Sequence, residues 1–146
     1  MEEDRLKKFG EIRVSEIMVK DPLYITPDEK ISKTELTMLR KKVGGLPVIN
    51  DHRQVIGIIT QRDIRLARFA IAIDSTNTTV KDLMTPEPFV LKEDNTLKEA
   101  LELMFAHEIE RLPVVNENKE LIGLILQQEI LKKLLKAINE KVIKSY

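Results

Sequence analysis

A gapless internal repeat constrains this chain more than any other feature of it. Displaced by 66 positions, Val14 falls on Val80, Met18 on Met84, Pro22 on Pro88 and Met38 on Met104. In the same register Leu46-Pro47-Val48 falls on Leu112-Pro113-Val114, and Ile56-Gly57 on Ile122-Gly123. The match runs from Val14 to Leu66 with about 14 identities in about 53 positions, and about ten further pairs set apolar against apolar. Such self-similarity means one supersecondary unit made twice. A copy of about 60 residues sits at the lower limit of what folds alone, so the two copies are expected to pack through their sheets by a pseudo-twofold and share a core.

Patterning within a copy predicts an α+β unit of order β-α-β-β-α. Val14 to Met18 reads as a helical turn and Leu23 to Thr26 as a short strand. Ile31 to Val43 reads as a helix, with Pro27-Asp28 as its start signal and Gly44-Gly45 as its stop. Leu46 to Ile49 and Val55 to Ile59 are apolar strands joined by the polar turn Asn50 to Gln54, and a second helix runs from Gln61 to Ile73. The expected domain plan is an arm at 1–13, a first domain at 14–73, a linker at 74–79 and a second domain at 80–146. That last domain ends in an extended helix with an apolar stripe of Ile130, Leu131, Leu134, Leu135, Ile138 and Val142.

Composition narrows the function classes. Lys and Arg total 24 and Asp and Glu total 24, so overall charge makes no case for nucleic acid or an anionic membrane as partner. No apolar run approaches the roughly 20 residues of a membrane span. The acidic start Met1 to Arg5 lacks the basic-then-apolar order of a secretory signal, which points to the cytoplasm. The absence of cysteine excludes disulfides, thiolate zinc sites and cysteine nucleophiles. His52 in a polar turn and His107 near a helix end read as surface residues, without the spacing of a metal site. With no nucleophile–base pair and no Gly-rich phosphate loop, the expectation is a binding protein that is not an enzyme.

The stretch Gly57-Ile58-Ile59-Thr60-Gln61-Arg62-Asp63 carries the most chemistry. A buried strand runs into a helix, with a hydroxyl and a carboxylate three residues apart. Thr60 and Asp63 suit a capping box at the helix N-terminus. They equally suit a ligand: a phosphate at the helix N-terminus and sugar hydroxyls at the carboxylate. The repeat offers a control, because the position matching Thr60 carries Leu126, a very poor cap. The fold tolerates that loss, which tilts the balance toward a ligand.

Three features taken together resemble a tandem pair of CBS domains: the Val-x-x-Ile/Leu-Met openings at Val14 and Val80, the Leu-Pro-Val strand starts at Leu46 and Leu112, and the Gly57 to Asp63 turn. The resemblance spans Val14 to about Leu135. It implies the fold of a Bateman module, two CBS repeats about a pseudo-twofold, commonly paired into a disc-like homodimer. It also implies a regulatory module that binds adenosyl compounds in clefts between the copies. With no enzyme, channel or DNA-binding domain in the sequence, the expected form is a stand-alone CBS protein whose regulated partner is another chain or another copy of this one.

Carried over residue by residue, one site is complete. Gly57, Ile58, Thr60, Arg62 and Asp63 come from the first copy, with the Thr60 hydroxyl for phosphate and the Asp63 carboxylate for ribose. The second copy offers Phe89, Val90 and Leu91 around the base, then Ile109, Glu110, Arg111, Leu112 and Pro113, with the Arg111 fork for phosphate. The second site departs from the pattern. Tyr24, Ile25, Gly45 and Pro47 are matched there with Leu126 and Glu129; the hydroxyl is gone, the acid is longer, and Gly45 stands where the other loop has Arg111. One working site is therefore expected. Arg111 favours AMP or ADP over S-adenosylmethionine, and ATP ranks between them, with Arg62 and Lys92 as its further cations. No metal or obligatory cofactor is implied. The alternative is a ligand-free structural or interaction module.

Overall fold

The computed structural model describes residues 2–144, with side chains for residues 3–140. The chain is α+β, with two sheets and two compact units, and neither unit is built from one repeat alone.

The unit built on the first repeat comprises Leu23–Pro88 and Asn118–Leu121. Its sheet has the order β2-β3-β4. Strand β2 (Gly45–Ile49) is buried throughout and runs antiparallel to β3 (Val55–Thr60), from Gly45 opposite Thr60 to Val48 opposite Gly57. The two-residue β4 (Thr85–Pro86) adds antiparallel to β3. Helix α2 (Ile31–Lys41) buries Ile31, Thr34 and Met38, a spacing that keeps one face inward. With α3 (Gln61–Ile71) and the single turn α4 (Val80–Leu83), it closes a core of Ile25, Ile31, Met38, Leu46, Val48, Ile59, Ile64 and Val80. The tip of the second hairpin also joins this unit, through Val55 N–H to the Lys119 carbonyl at 3.1 Å and Leu121 N–H to the Arg53 carbonyl at 3.0 Å.

Two boundary signals differ from the sequence reading. Pro27 and Asp28 lie in a turn, and α2 starts three residues later at Ile31 with no side-chain cap. Backbone carbonyls serve instead: the amides of Ile31 and Ser32 donate to Thr78 (2.9 Å) and Ser75 (3.0 Å). The helix also ends before Gly44-Gly45, at Lys42, which is left-handed with φ 55°. Gly45 opens β2, and none of the described glycines has positive φ.

The unit built on the second repeat comprises residues up to Pro22, then Phe89–Glu117 and the chain from Ile122. Its sheet has the order β1-β7-β6-β5, from β1 (Val19–Lys20), β7 (Leu121–Leu126), β6 (Arg111–Val115) and β5 (Leu91–Lys92). Strands β5 and β6 are parallel, with Leu91 opposite Val114. Helix α1 (Glu2–Gly10), a 3-10 turn at Val14–Glu16, α5 (Leu97–His107) and α6 (Gln127–Lys144) complete the unit. Its core is Val14, Leu91, Leu97, Ala100, Met104, Leu112, Val114, Ile125 and Ile130. The stripe expected on α6 divides: Ile130 is buried and Leu134 half-buried, whereas Leu131, Leu135 and Ile138 are exposed. The side chain of Val142 lies outside the described residues. No helix among the described residues is long and apolar enough to cross a membrane.

The opening of each repeat completes the body of the other. Val14 N–H donates to the Asn95 carbonyl (2.8 Å), and its repeat partner Val80 donates to that of Glu29 (2.9 Å). Val19 pairs with Leu124, and Thr85 with Ile58. Met84 lies over Gly57 and Met18 over Gly123, so closely that a Cβ on either glycine would collide with the methionine sulfur. The recurrence of Met18 and Met84 with Gly57 and Gly123 is therefore one packing contact made twice. Left-handed backbone recurs too, at Asp21 and Glu87, Lys42 and Glu108, and Arg53 and Lys119. Each pair is 66 residues apart, so the duplication extends to the shape of the turns.

Candidate functional site

The chain turns from β3 into α3 at Thr60, whose extended backbone (φ −123°, ψ 160°) ends the strand and begins the helix. The capping box is formed. Thr60 N–H donates to Asp63 Oδ2 at 2.9 Å, and Asp63 N–H donates to Thr60 Oγ1 at 3.1 Å. Gln61 N–H is taken by the Gly44 carbonyl at 2.9 Å. Gly57 and Ile59 are buried, while Ile58, Thr60 and Asp63 are half-buried and Arg62 is exposed. These bonds leave capacity over. A threonine hydroxyl that accepts still has a proton to donate, and a carboxylate with one oxygen engaged keeps the other. The two readings of this turn are thus chemically compatible.

At the matching turn of the second repeat, Gln127 N–H still finds a carbonyl, that of Glu110 at 2.9 Å. Leu126 supplies no hydroxyl, and Glu129 turns forward to Lys132 at 3.4 Å. Backbone capping by the preceding loop and the burial of Ile130 support α6 in place of a side-chain cap.

The other residues singled out in the second repeat lie together in its unit. Phe89 and Val90 are 48% and 37% exposed and lead into buried Leu91. Leu91 is paired opposite Val114, so Phe89 and Val90 immediately precede the paired residues of β5. After α5, Glu108 is left-handed, and Ile109 N–H caps the helix on the Met104 carbonyl at 2.9 Å. Glu110 is exposed, Arg111 is half-buried at the start of β6, and Leu112 and Pro113 are buried. One further member of this group carries no signal of a site in its sequence spacing. The His107 ring stacks on Phe89, centroids 3.9 Å apart and planes 21° from parallel.

Of the second set, Tyr24, Ile25, Gly45 and Pro47 share one unit. Ile25 N–H donates to the Pro47 carbonyl at 3.0 Å, and the Arg53 guanidinium lies 5.4 Å over the half-exposed Tyr24 ring. Leu126 and Glu129, both half-buried, belong to the other unit. Among the described residues no group of three or more His, Cys, Asp or Glu side chains converges as a metal site would require.

Comparison with known proteins fixes the family. The family model for the CBS domain matches residues 14–69 and 80–136. The inosine-5'-monophosphate dehydrogenase of Methanocaldococcus jannaschii is 37% identical over 121 residues, which is 83% of this chain and 23% of that enzyme. The chain thus spans about a quarter of the length of such relatives. Among solved structures, CBSX2, a CBS-pair protein of Arabidopsis thaliana, was determined in complex with AMP. That structure has a TM-score of 0.79 at 26% identity, over 86% of this chain and 98% of that one. The CBS domain pair of protein MJ0100, in complex with 5'-methylthioadenosine and S-adenosyl-L-methionine, has the same fold, with a TM-score of 0.76 at 23% identity over 84% of this chain and 98% of that one. With both repeats matched, this chain belongs to the CBS domain family, as a tandem pair.

Proposed function

We propose that this chain senses an adenosine phosphate, AMP or ADP, at a single site. Thr60 holds phosphate through its remaining hydroxyl proton, and Asp63 takes ribose hydroxyls on its free oxygen. Phe89 to Leu91 and Ile109 to Pro113 enclose the base, and the Arg111 fork takes phosphate. The observation that carries this reading is the asymmetry between repeats: the Thr60–Asp63 pair against Leu126 and Glu129, and Arg111 against Gly45. The likeness to a CBS pair solved with AMP supports it. ATP ranks second, and S-adenosylmethionine last because its sulfonium would meet Arg111. The dehydrogenase relatives lend no catalytic role, since the shared region is about a quarter of each.

The sensor acts through self-association or an unidentified protein partner. Exposed apolar side chains support the former: Leu39 and Phe69 on α2 and α3 are 72% and 85% exposed, and α5 and α6 carry Phe105, Leu131, Leu135 and Ile138. Sedimentation of the purified protein is expected to give a dimer.

Calorimetry with AMP, ADP, ATP and S-adenosylmethionine tests the site. AMP or ADP is expected to bind most tightly. Asp63→Asn, which keeps an acceptor for Thr60 N–H and removes the charge, is expected to weaken binding about tenfold while lowering the melting temperature by no more than about 1–2 °C. The formed capping box favours a second reading, a ligand-free interaction module. In that case none of the four compounds gives measurable heat, and Asp63→Asn alters stability alone.

A further inference from the structure

Phe89 and His107 are both exposed in a chain with only four phenylalanines, yet they lie face to face. An exposed phenylalanine side chain ordinarily samples several rotamers, and a second ring packed flat against it selects one. His107 is well placed for that. It is the last residue of α5, and the helix end behind it is fixed by left-handed Glu108 and by the Ile109 N–H to Met104 carbonyl bond. The backbone that carries Phe89 is anchored two residues later by Leu91, buried and paired with β6. With His107 stacked on one face and the residue still 48% exposed, Phe89 offers a flat apolar surface.

The repeat again serves as control. The positions matching Phe89 and His107 are Leu23 and Lys41, which cannot form a ring stack. The stack belongs to the repeat whose loop also carries Arg111, and is missing where that loop carries Gly45. Neither fold nor helix capping requires it, since the first repeat manages without.

We infer that His107 is a positioning residue that backs Phe89, so that the two rings form a platform on which the purine of the adenosine phosphate stacks. This rests on the adenosine-phosphate reading above. Stacking on an aromatic face is tolerant of base identity and sensitive to how firmly the ring is held.

The test is AMP calorimetry on the full chain, with melting temperatures as a check on folding. His107→Ala is expected to weaken AMP binding about three- to tenfold at unchanged melting temperature, and His107→Phe, which restores a ring, to recover it. Wild-type protein that binds AMP while His107→Ala binds it equally well overturns the inference and leaves the adenosine-phosphate reading standing. A loss that His107→Phe does not recover, or one that follows a fall in melting temperature, assigns His107 a merely structural role and likewise overturns it. Wild-type protein that gives no heat with any adenosine phosphate overturns the reading itself, and the platform with it.

Discussion

Gly57 is constrained by what lies against it. Its backbone torsions suit any residue, but a Cβ there would sit 2.5 Å from the Met84 sulfur and 3.1 Å from the Thr85 carbonyl oxygen. The sulfur lies near the end of a flexible side chain and can yield; the carbonyl belongs to a paired strand and yields less. Gly57→Ala is therefore expected to cost about 1–3 kcal/mol in urea unfolding, and Met84→Ala in the same chain to recover part of that. This contact was not legible in the sequence. The glycines read as parts of a ligand turn, because their overlying methionines are about 27 residues away in one case and over 100 in the other. The Thr60–Asp63 pair was legible, because a capping box is local and its spacing announces it. The Phe89–His107 stack was not, since nothing in the spacing of the two residues marks them as neighbours.

Among the elements, apolar periodicity located α2, α3, β2 and β3 within a few residues, because each buries a continuous face. Strands β1 and β4 escaped: two residues carry no period, and their partners lie in the other repeat. Helix capping is also unequal between repeats. Helix α5 has a full box, with Glu99 accepting from Thr96 N–H (3.0 Å) and Oγ1 (3.1 Å), whereas α2, with Lys30 at its N-cap, has none. The backbone and hydroxyl donors of Thr96 hold the Glu99 carboxyl below its ordinary value of 4.5. A lowered folded-state pKa stabilises above the unfolded value and is lost as pH falls through the folded one. Glu99→Gln, which can still accept, is expected to melt about 1–2 °C lower at pH 7. The difference should close as the pH is taken well below 4.5, which thermal melts across an acid series will follow.

At the scale of the whole molecule, the duplication and the α+β class were readable from the sequence, while the exchange of opening segments was not. Sequence similarity reports which stretches correspond and is silent on which stretches touch. The exchange has a consequence for fragments of the chain. A polypeptide cut between Asp74 and Thr79 leaves a first piece whose glycine strand lacks Met84 and β4, and a second piece lacking Met18 and β1. Each piece carries the closure that the other needs. Residues 1–76 and 77–146, produced separately, are expected to show little cooperative melting by circular dichroism. Mixed in equal amounts they should recover it, as two halves of a split protein that reconstitute by complementation. Tandem duplication has here made each copy dependent on its neighbour, so neither can be lost without unfolding the other.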